Sequence, residues 1–416
     1  MIVGPGLLRG RSRFAAARNV VVPGAISGLT TFTRAQATGV ESAGLGSDGT
    51  TWDTYAADTP RFVFPNGGLL IEGQRTNAVT NPRGEGASGT ATLPTTWTLS
   101  ATRGLTHTFT PAVVNGVEGV VWAFSGTPTS TAGTELAFEA GLTSTAGQLC
   151  ALSLFYQLVA GTNTLSSLTL RNANEAAGTA TPFSPDATLR RVTNVTTAVG
   201  TVYRCRISFG FPNTVTPVNT SIFLGWPQRE QLAAFAATPI LPPIGTPGAS
   251  TRDADIASTL ISGFGLTGNG VGTILMRATL PQSAPTGVNQ MLFQVDDGSD
   301  SNRYVVRNAG GGNSIEILNV VGGVAGSPVS LGSMTPGTTF SVGVTYDAAG
   351  RLAGALNAGA VQAVTGGPTS GLTRLLEGSS GATGGTEAMF GTIQRLTVLP
   401  RVVSDAELRS LVSSLV

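Results

Sequence analysis

The sequence predicts an all-β protein: tandem jelly-roll or β-sandwich domains with an irregular N-terminal anchoring module and a short C-terminal helix. Three observations predict it. Glycine (56) and proline (23) are abundant, beside plentiful threonine and serine, which suits many short strands joined by turns. Run after run alternates apolar and polar residues at the strand period of two. Charged residues make up 11% of the chain, against roughly 25% in ordinary soluble domains, a mixture that leaves little room for long helices. At 416 residues the chain is long for one core, so two or three domains are expected.

Residues 1–80 are irregular, with Gly and Pro throughout, and offer extended pieces only at 29–34 and 61–64. Two readings stand side by side: a poorly structured leader, or an arm that orders when docked on a partner. Residues 81–240 read as a first sandwich or jelly roll, with strands at 117–123, 136–140, 149–159, 165–171, 189–195, 203–209 and 221–226. Both cysteines fall on the apolar side of these runs. Cys150 shares a side with Leu152, Leu154, Tyr156 and Leu158, and Cys205 with Tyr203, Ile207 and Phe209, opposite Arg204, Arg206 and Ser208. They read as buried core thiols, the alternative being a bridge between the strands.

Residues 241–255 form a linker in this reading. The stretch around them carries Pro239, Pro242, Pro243 and Pro247 with Gly245 and Gly248, and proline cannot pair into a central sheet. Residues 256–416 read as a second sandwich. Phe340, Val342, Val344 and Tyr346 alternate with Ser341, Gly343 and Thr345, the pattern of a half-buried strand. At the end, Ser404 stands three residues before Glu407, the spacing of a capping box, and Leu408, Leu411, Val412 and Leu415 follow helical spacing. A short helix laid against the sandwich is expected there. No fixed-period repeat is visible.

The formal net charge of +1 gives no general field for nucleic acid or an anionic membrane, and no stretch nears the ~18 apolar residues of a membrane span. Neither is expected as a partner. The N-terminus carries Arg9, Arg11, Arg13 and Arg18, but Asn19 and Pro23 interrupt any following apolar region. A signal peptide is not expected, and the chain is expected to assemble in the cytoplasm of the producing cell.

Residues that carry chemistry are few, and no catalytic residue is assigned. A Ser-His-Asp triad or a zinc site would have to use His107, the one histidine, which has no companion pattern. Glycosidases need two carboxylates roughly 5–10 Å apart, and Glu135 and Glu139, four residues apart on one strand, would stand about 13 Å apart. Gly263, Gly265 and Gly268 match G-x-G-x-x-G, but a strand follows where a dinucleotide site needs a helix. The run Asp296, Asp297, Gly298, Ser299, Asp300, Ser301, Asn302 sits between two strands. A turn suffices to explain it. The alternative is a ligand rim of Asp296, Asp297, Asp300, Asn302, Arg303 and Tyr304, with calcium on the three aspartates. No other cofactor is expected. Of the tryptophans, Trp122 and Trp226 lie in strand runs and read as core, whereas Trp52 and Trp97 lie in polar surroundings and read as exposed.

Several segments carry a resemblance. Phe32-Thr33-Arg34-Ala35, Ser47-Asp48-Gly49, Thr59-Pro60-Arg61-Phe62 and above all Leu70-Ile71-Glu72-Gly73-Gln74-Arg75-Thr76-Asn77 resemble the N-terminal module of phage tail-fibre and head-spike proteins, of the kind also found in gene transfer agents. Pro227-Gln228-Arg229-Glu230-Gln231 and Thr251-Arg252-Asp253-Ala254-Asp255 resemble the segment that ends the middle β-domain of such proteins, although Arg229 and Gln231 depart from its more apolar pattern. Residues 271–416 resemble a concanavalin A-like or laminin-G-like sandwich, through Gly272-Thr273-Ile274, Leu292-Phe293-Gln294, Phe390-Gly391-Thr392-Ile393 and Ser404-Asp405-Ala406-Glu407-Leu408. The resemblance implies an adhesin on the surface of a virion or phage-like particle, expected to be a homo-oligomer, and the single histidine and the unsuitable carboxylate spacing favour a non-enzymatic role. It would dock on a head or tail base protein through residues 1–80 and bind a bacterial surface glycan, capsule or lipopolysaccharide. The alternatives are a capsule depolymerase and a purely structural decoration protein.

Overall fold

The computed structural model describes residues 17–46, 48–162, 165, 167–173, 180–198, 202–231, 236–266, 270–381, 385 and 387–415. Residues 1–16, Ser47, Gly268 and the side chains of Ala140 and Tyr203, which figure in the expectations above, lie outside the described set. The chain is all-β. Among the described residues, strands run from Arg18 to Leu399 and one α-helix, Asp405–Ser413, follows. Two compact units result: a terminal unit of Met1–Thr31, Ala257–Gly384 and Ile393–Val416, and a middle unit of Phe32–Ile256 with Gly385–Thr392.

This division corrects the reading of residues 1–80 as a separate module. Residues 17–31 belong to the terminal unit and 32–80 to the middle one. The irregular composition is real, but short strands in it pair with distant ones, which local periodicity cannot reveal. The linker at 241–255 is corrected in the same way. Ile240 and Leu241 pair with Ser42 and Glu41, Thr251 and Arg252 pair with Thr76 and Arg75, and Arg252 is buried. Proline still keeps these pairings short, two or three strands wide.

The middle unit is a layered β-sandwich. Its six-stranded sheet runs in the order Arg190–Thr197, Leu149–Gly161, Val218–Gln231, Val117–Gly126, Thr106–Val114, Gly89–Thr90. Its five-stranded sheet runs Thr98–Leu99, Thr134–Thr143, Val202–Gly210, Ser167–Ala173, Ala180–Pro182. The interior between them holds Leu136, Phe138, Leu170, Ile207 and Phe209 from the five-stranded sheet, and Trp122, Phe124, Leu152 and Leu224 from the six-stranded one. Because strand side chains alternate, the six-stranded sheet has a second apolar face. Val117, Phe155, Phe223 and Trp226 on that face are covered by Ala43, Trp52 and Leu241 of a three-stranded sheet. No such layer covers the far face of the five-stranded sheet among the described residues, and there the alternating positions are Glu135, Thr169, Arg171, Arg204, Arg206 and Ser208.

The terminal unit packs two antiparallel sheets. One orders Ala25–Ile26, Arg18–Val22, Gly391–Leu399, Gly272–Thr279, Thr339–Tyr346, Leu352–Leu356 and Gln362–Val364. The other orders Val324–Ala325, Ser314–Val321, Arg303–Asn308, Gln290–Asp296, Arg374–Glu377 and Ile256–Leu260. The closing helix lies on the first sheet, with Leu408 and Val412 against Leu275. The strand Thr339–Tyr346 is therefore buried on both faces rather than one. A Cβ at Gly343 would stand 2.5 Å from Val412 Cγ2, so glycine is what lets the helix approach. Half of the capping box forms. Ser404 Oγ accepts from Glu407 N at 3.2 Å, while the Glu407 carboxylate turns to Arg401.

Candidate functional site

The predicted rim at 296–304 is a self-satisfied turn, which corrects the calcium and ligand reading. Asp296 is fully buried and takes Arg374 in a two-point pair, Nε at 2.8 Å and Nη2 at 3.0 Å, with Gly298 N at 2.8 Å and Gln294 Nε2 at 2.6 Å besides. Asp297 accepts from Ser299 N (2.9 Å), Ser299 Oγ (2.5 Å) and Asn302 Nδ2 (2.9 Å). Burial raises the Asp297 carboxyl, but these donors outweigh it and hold the group below its usual range. Asp300 pairs with Arg303 at 2.8 Å, and Arg303 also donates to Gln294 Oε1 at 2.9 Å. Asn302 Oδ1 accepts from Gly322 N. Tyr304 presents no aromatic face. It is buried against Tyr346, and its hydroxyl donates to Pro368 O at 2.8 Å. The carboxylates that a cation would need are thus turned to separate partners. Among the described residues no group of three His, Cys, Asp or Glu side chains converges on a metal position.

The other chemical candidates are also spent on structure. His107 is buried and stacked on Trp122, whose Nε1 donates to His107 Nδ1 at 3.0 Å. That leaves the Nε2–H to donate to Thr102 O, and burial lowers the ring's pKa despite this bond, so the ring is neutral. Glu139 accepts from Thr80 N and Oγ1, while Glu135 pairs with Arg206 at 2.9 Å, so the two do not act on one point. Gly263 lies within the 3-10 turn Ile261–Phe264, and Gly265 caps it. Cys150 and Cys205 are free thiols, and burial pushes Cys205 up to about 12. Trp97 and Trp52 correct the expectation of exposure. Trp97 is 4% exposed with its indole N–H on Asn81 O, and Trp52 is half-buried against Phe155 and Trp226. Their polar neighbours in sequence sit on the opposite side of short strands and turns.

The segments of strongest resemblance build a buried ionic network in the middle unit. Asp255 takes Arg34 at 3.1 Å and Arg61 at 2.6 Å. Glu72 takes Arg61 at 2.9 Å and Arg252 at 2.7 Å. Burial would raise the Glu72 carboxyl, but Arg252 and Arg61 overcome it and hold it well below the usual range. Arg229, the departure from an apolar pattern, is fully buried and donates to Thr143 O and Ser144 Oγ. These residues hold the unit together and face no solvent.

Among the described residues, depressions remain beside Gln74, Arg75 and Thr76, beside Arg277 and Asn357, and on the far face of the five-stranded sheet, which is the one that gathers the most hydroxyls. A shallow depression of about 350 Å³ lies there. Ser100, Thr134, Ser167, Thr169 and Ser208 bring hydroxyls to it, and Glu135 and Arg171 bring charge. Strand register places them. Ser208 stands between Glu135 and Thr169, and Arg206 between Ala137 and Arg171. Arg206 Nη1 sits 2.9 Å from Glu135, and Ser208 Oγ reaches toward the same carboxylate at 3.4 Å. Arg171 Nε is buried without a hydrogen-bond partner among the described residues. Sequence reasoning singled out none of these as a site. The signal was present in the polar positions Arg204, Arg206 and Ser208 opposite an apolar run, but not the neighbouring strands that complete the surface.

No family model matches the chain, and no curated protein matches it. Several solved structures are similar. CBM40 of the Ruminococcus gnavus IT-sialidase, bound to α2,3-sialyllactose, aligns with 34% of this chain and 82% of its own at 14% identity and a TM-score of 0.29. The NanB sialidase of Streptococcus pneumoniae aligns with 37% of this chain and 26% of its own at 15% identity and a TM-score of 0.29. The CBM22-1–CBM22-2 tandem domain of Paenibacillus barcinonensis Xyn10C aligns with 81% of this chain and 97% of its own at 11% identity and a TM-score of 0.23. The β-sandwich assignment rests on the strand pairing above, and likenesses at these scores add nothing to it.

Proposed function

We propose that this protein is a non-catalytic adhesin that binds bacterial surface polysaccharide through the open face of its five-stranded sheet, carried on a virion or phage-like particle as a head-spike or tail-fibre subunit. The observation that carries the binding reading is the depression on that face. It offers hydroxyls, a carboxylate and a guanidinium on rigid strands, the mixture of donors and acceptors that matches a sugar's hydroxyls. The virion reading is supported by the resemblance of 32–35, 59–62 and 70–77 to phage fibre modules.

The test is direct. Polysaccharide from candidate host cells is titrated with the full chain, and with Thr169→Trp, which fills the depression without touching the core. Binding by the native chain, lost in Thr169→Trp at unchanged melting temperature, is expected. Equal binding by both proteins would move the site elsewhere. Immunogold labelling of purified particles checks the attachment, and unlabelled particles would remove the virion part of the reading.

A further inference from the structure

We infer that the ligand of this face is an acidic polysaccharide, one whose sugars carry carboxylates, rather than a neutral one. The inference rests on the binding reading above and narrows it. The balance of charge over this one surface points that way. Among the described residues, Glu135 is the carboxylate lining the depression, and Arg206 cancels its charge at 2.9 Å. The next carboxylate along the strand, Glu139, is turned to Thr80. Arg171 therefore stands in the depression as a guanidinium with no carboxylate of its own among the described residues. Arg103 sits at the rim, its Nη2 on Gly133 O at 2.6 Å.

A neutral sugar would leave this excess positive charge facing hydroxyls alone. A carboxylate gives Arg171 a two-point, charge-assisted partner, while Ser167 is left for the ring hydroxyls and Thr169 and Ser208, whose hydroxyls donate to Ser208 O and Glu135, can still accept from them. A phosphate would also suit a lone guanidinium, but the hydroxyls around Arg171 fit a partner whose charge is set among further hydroxyls. That partner is a uronic-type sugar in a chain.

The probes are alginate and polygalacturonate, the same two polymers after chemical reduction of their carboxyl groups, and dextran. Each is titrated against the full chain and against Arg171→Gln, Arg171→Lys and Thr169→Trp. The expected result is binding to at least one acidic polymer, weakened at least tenfold by carboxyl reduction, by Arg171→Gln, and by raising salt from 50 to 500 mM. Arg171→Lys should recover part of the loss, which a merely structural role for Arg171 would not predict. If reduced polymers or dextran bind as well as the acidic ones, and Thr169→Trp still blocks them, the glycan reading stands and the acidic one falls. If no polymer binds while host polysaccharide does, the acidic reading falls and the glycan reading stands; if host polysaccharide fails as well, both fall.

Discussion

Glu377 is the residue whose burial has the clearest measurable consequence. It points into the terminal unit with Thr259 Oγ1 at 2.6 Å as its donor and no cation beside it, and Glu377 Oε2 has no partner among the described residues. Burial pushes its carboxyl up to about 8, against which the Thr259 bond is too weak. A raised carboxylate pKa means the folded chain holds a proton that the unfolded chain has lost. Stability is therefore unaffected below about pH 4.5, falls as pH rises from there to about 8, and is level above, with a slope of about 1.4 kcal/mol per pH unit. Glu377→Gln should flatten that window and raise the neutral-pH melting temperature. Denaturation of both proteins from pH 4 to 9 checks it, and parallel curves would remove the assignment. The ionic network makes the opposite case. Asp255→Ala strands Arg34 and Arg61, both fully buried, and should cost about 3–5 kcal/mol in chemical denaturation. Removing the exposed partner Asp186 from Arg190 should leave the curve unmoved.

At the scale of elements, the turn at 296–302 and the closing helix give two tests. Because Asp296, Asp297 and Asp300 are each turned to an arginine or a turn donor, neither millimolar calcium nor a chelator should shift the melting temperature. A calcium-dependent rise would restore the metal reading. The helix keeps one cap bond, from Glu407 N to Ser404 Oγ, so Ser404→Ala should destabilise by about 1 kcal/mol. Gly343→Val should cost more, since its side chain would collide with Val412 and lift the helix from the sheet. Periodicity makes the helix and most middle-unit strands legible in the sequence. It does not show that the strand Thr339–Tyr346 has a helix on its polar side, because Ser341, Gly343 and Thr345 look the same facing water or facing Leu408 and Val412.

At the scale of the molecule, residues 17–80 belong to both folded units. Arg18–Val22 pairs with Gly391–Leu399 in the terminal unit, and Arg34, Arg61 and Glu72 neutralise Asp255 and Arg252 in the middle one. Deleting 1–80 should therefore destabilise both units. A single cooperative transition of unchanged midpoint in the deleted protein, followed by calorimetry, would show that the segment is dispensable to folding. The same reasoning holds for residues 256–416 alone. Without the hairpin Arg18–Val22 and Ala25–Ile26, the strand Gly391–Leu399 loses its partner along 396–398, and the piece should melt below the full chain.

The class of the protein is written in the order of its residues: all-β, built of sandwiches, closed by one capped helix, with core cysteines and a lone structural histidine. Those features are local, carried by a period of two or of 3.6 and by turn residues a few positions apart. Where the chemistry lies depends instead on pairings between distant strands. Asp255 finds Arg34 across 221 residues, and Thr169 and Glu135 meet on either side of Ser208 because three strands distant in sequence share one register. A charged side chain in a Gly/Pro-rich stretch reads as surface until its partner is known. For that reason Glu72 and Asn77 of the most distinctive motif turned out to be interior, and the open polar face could be seen only once the strands were assembled.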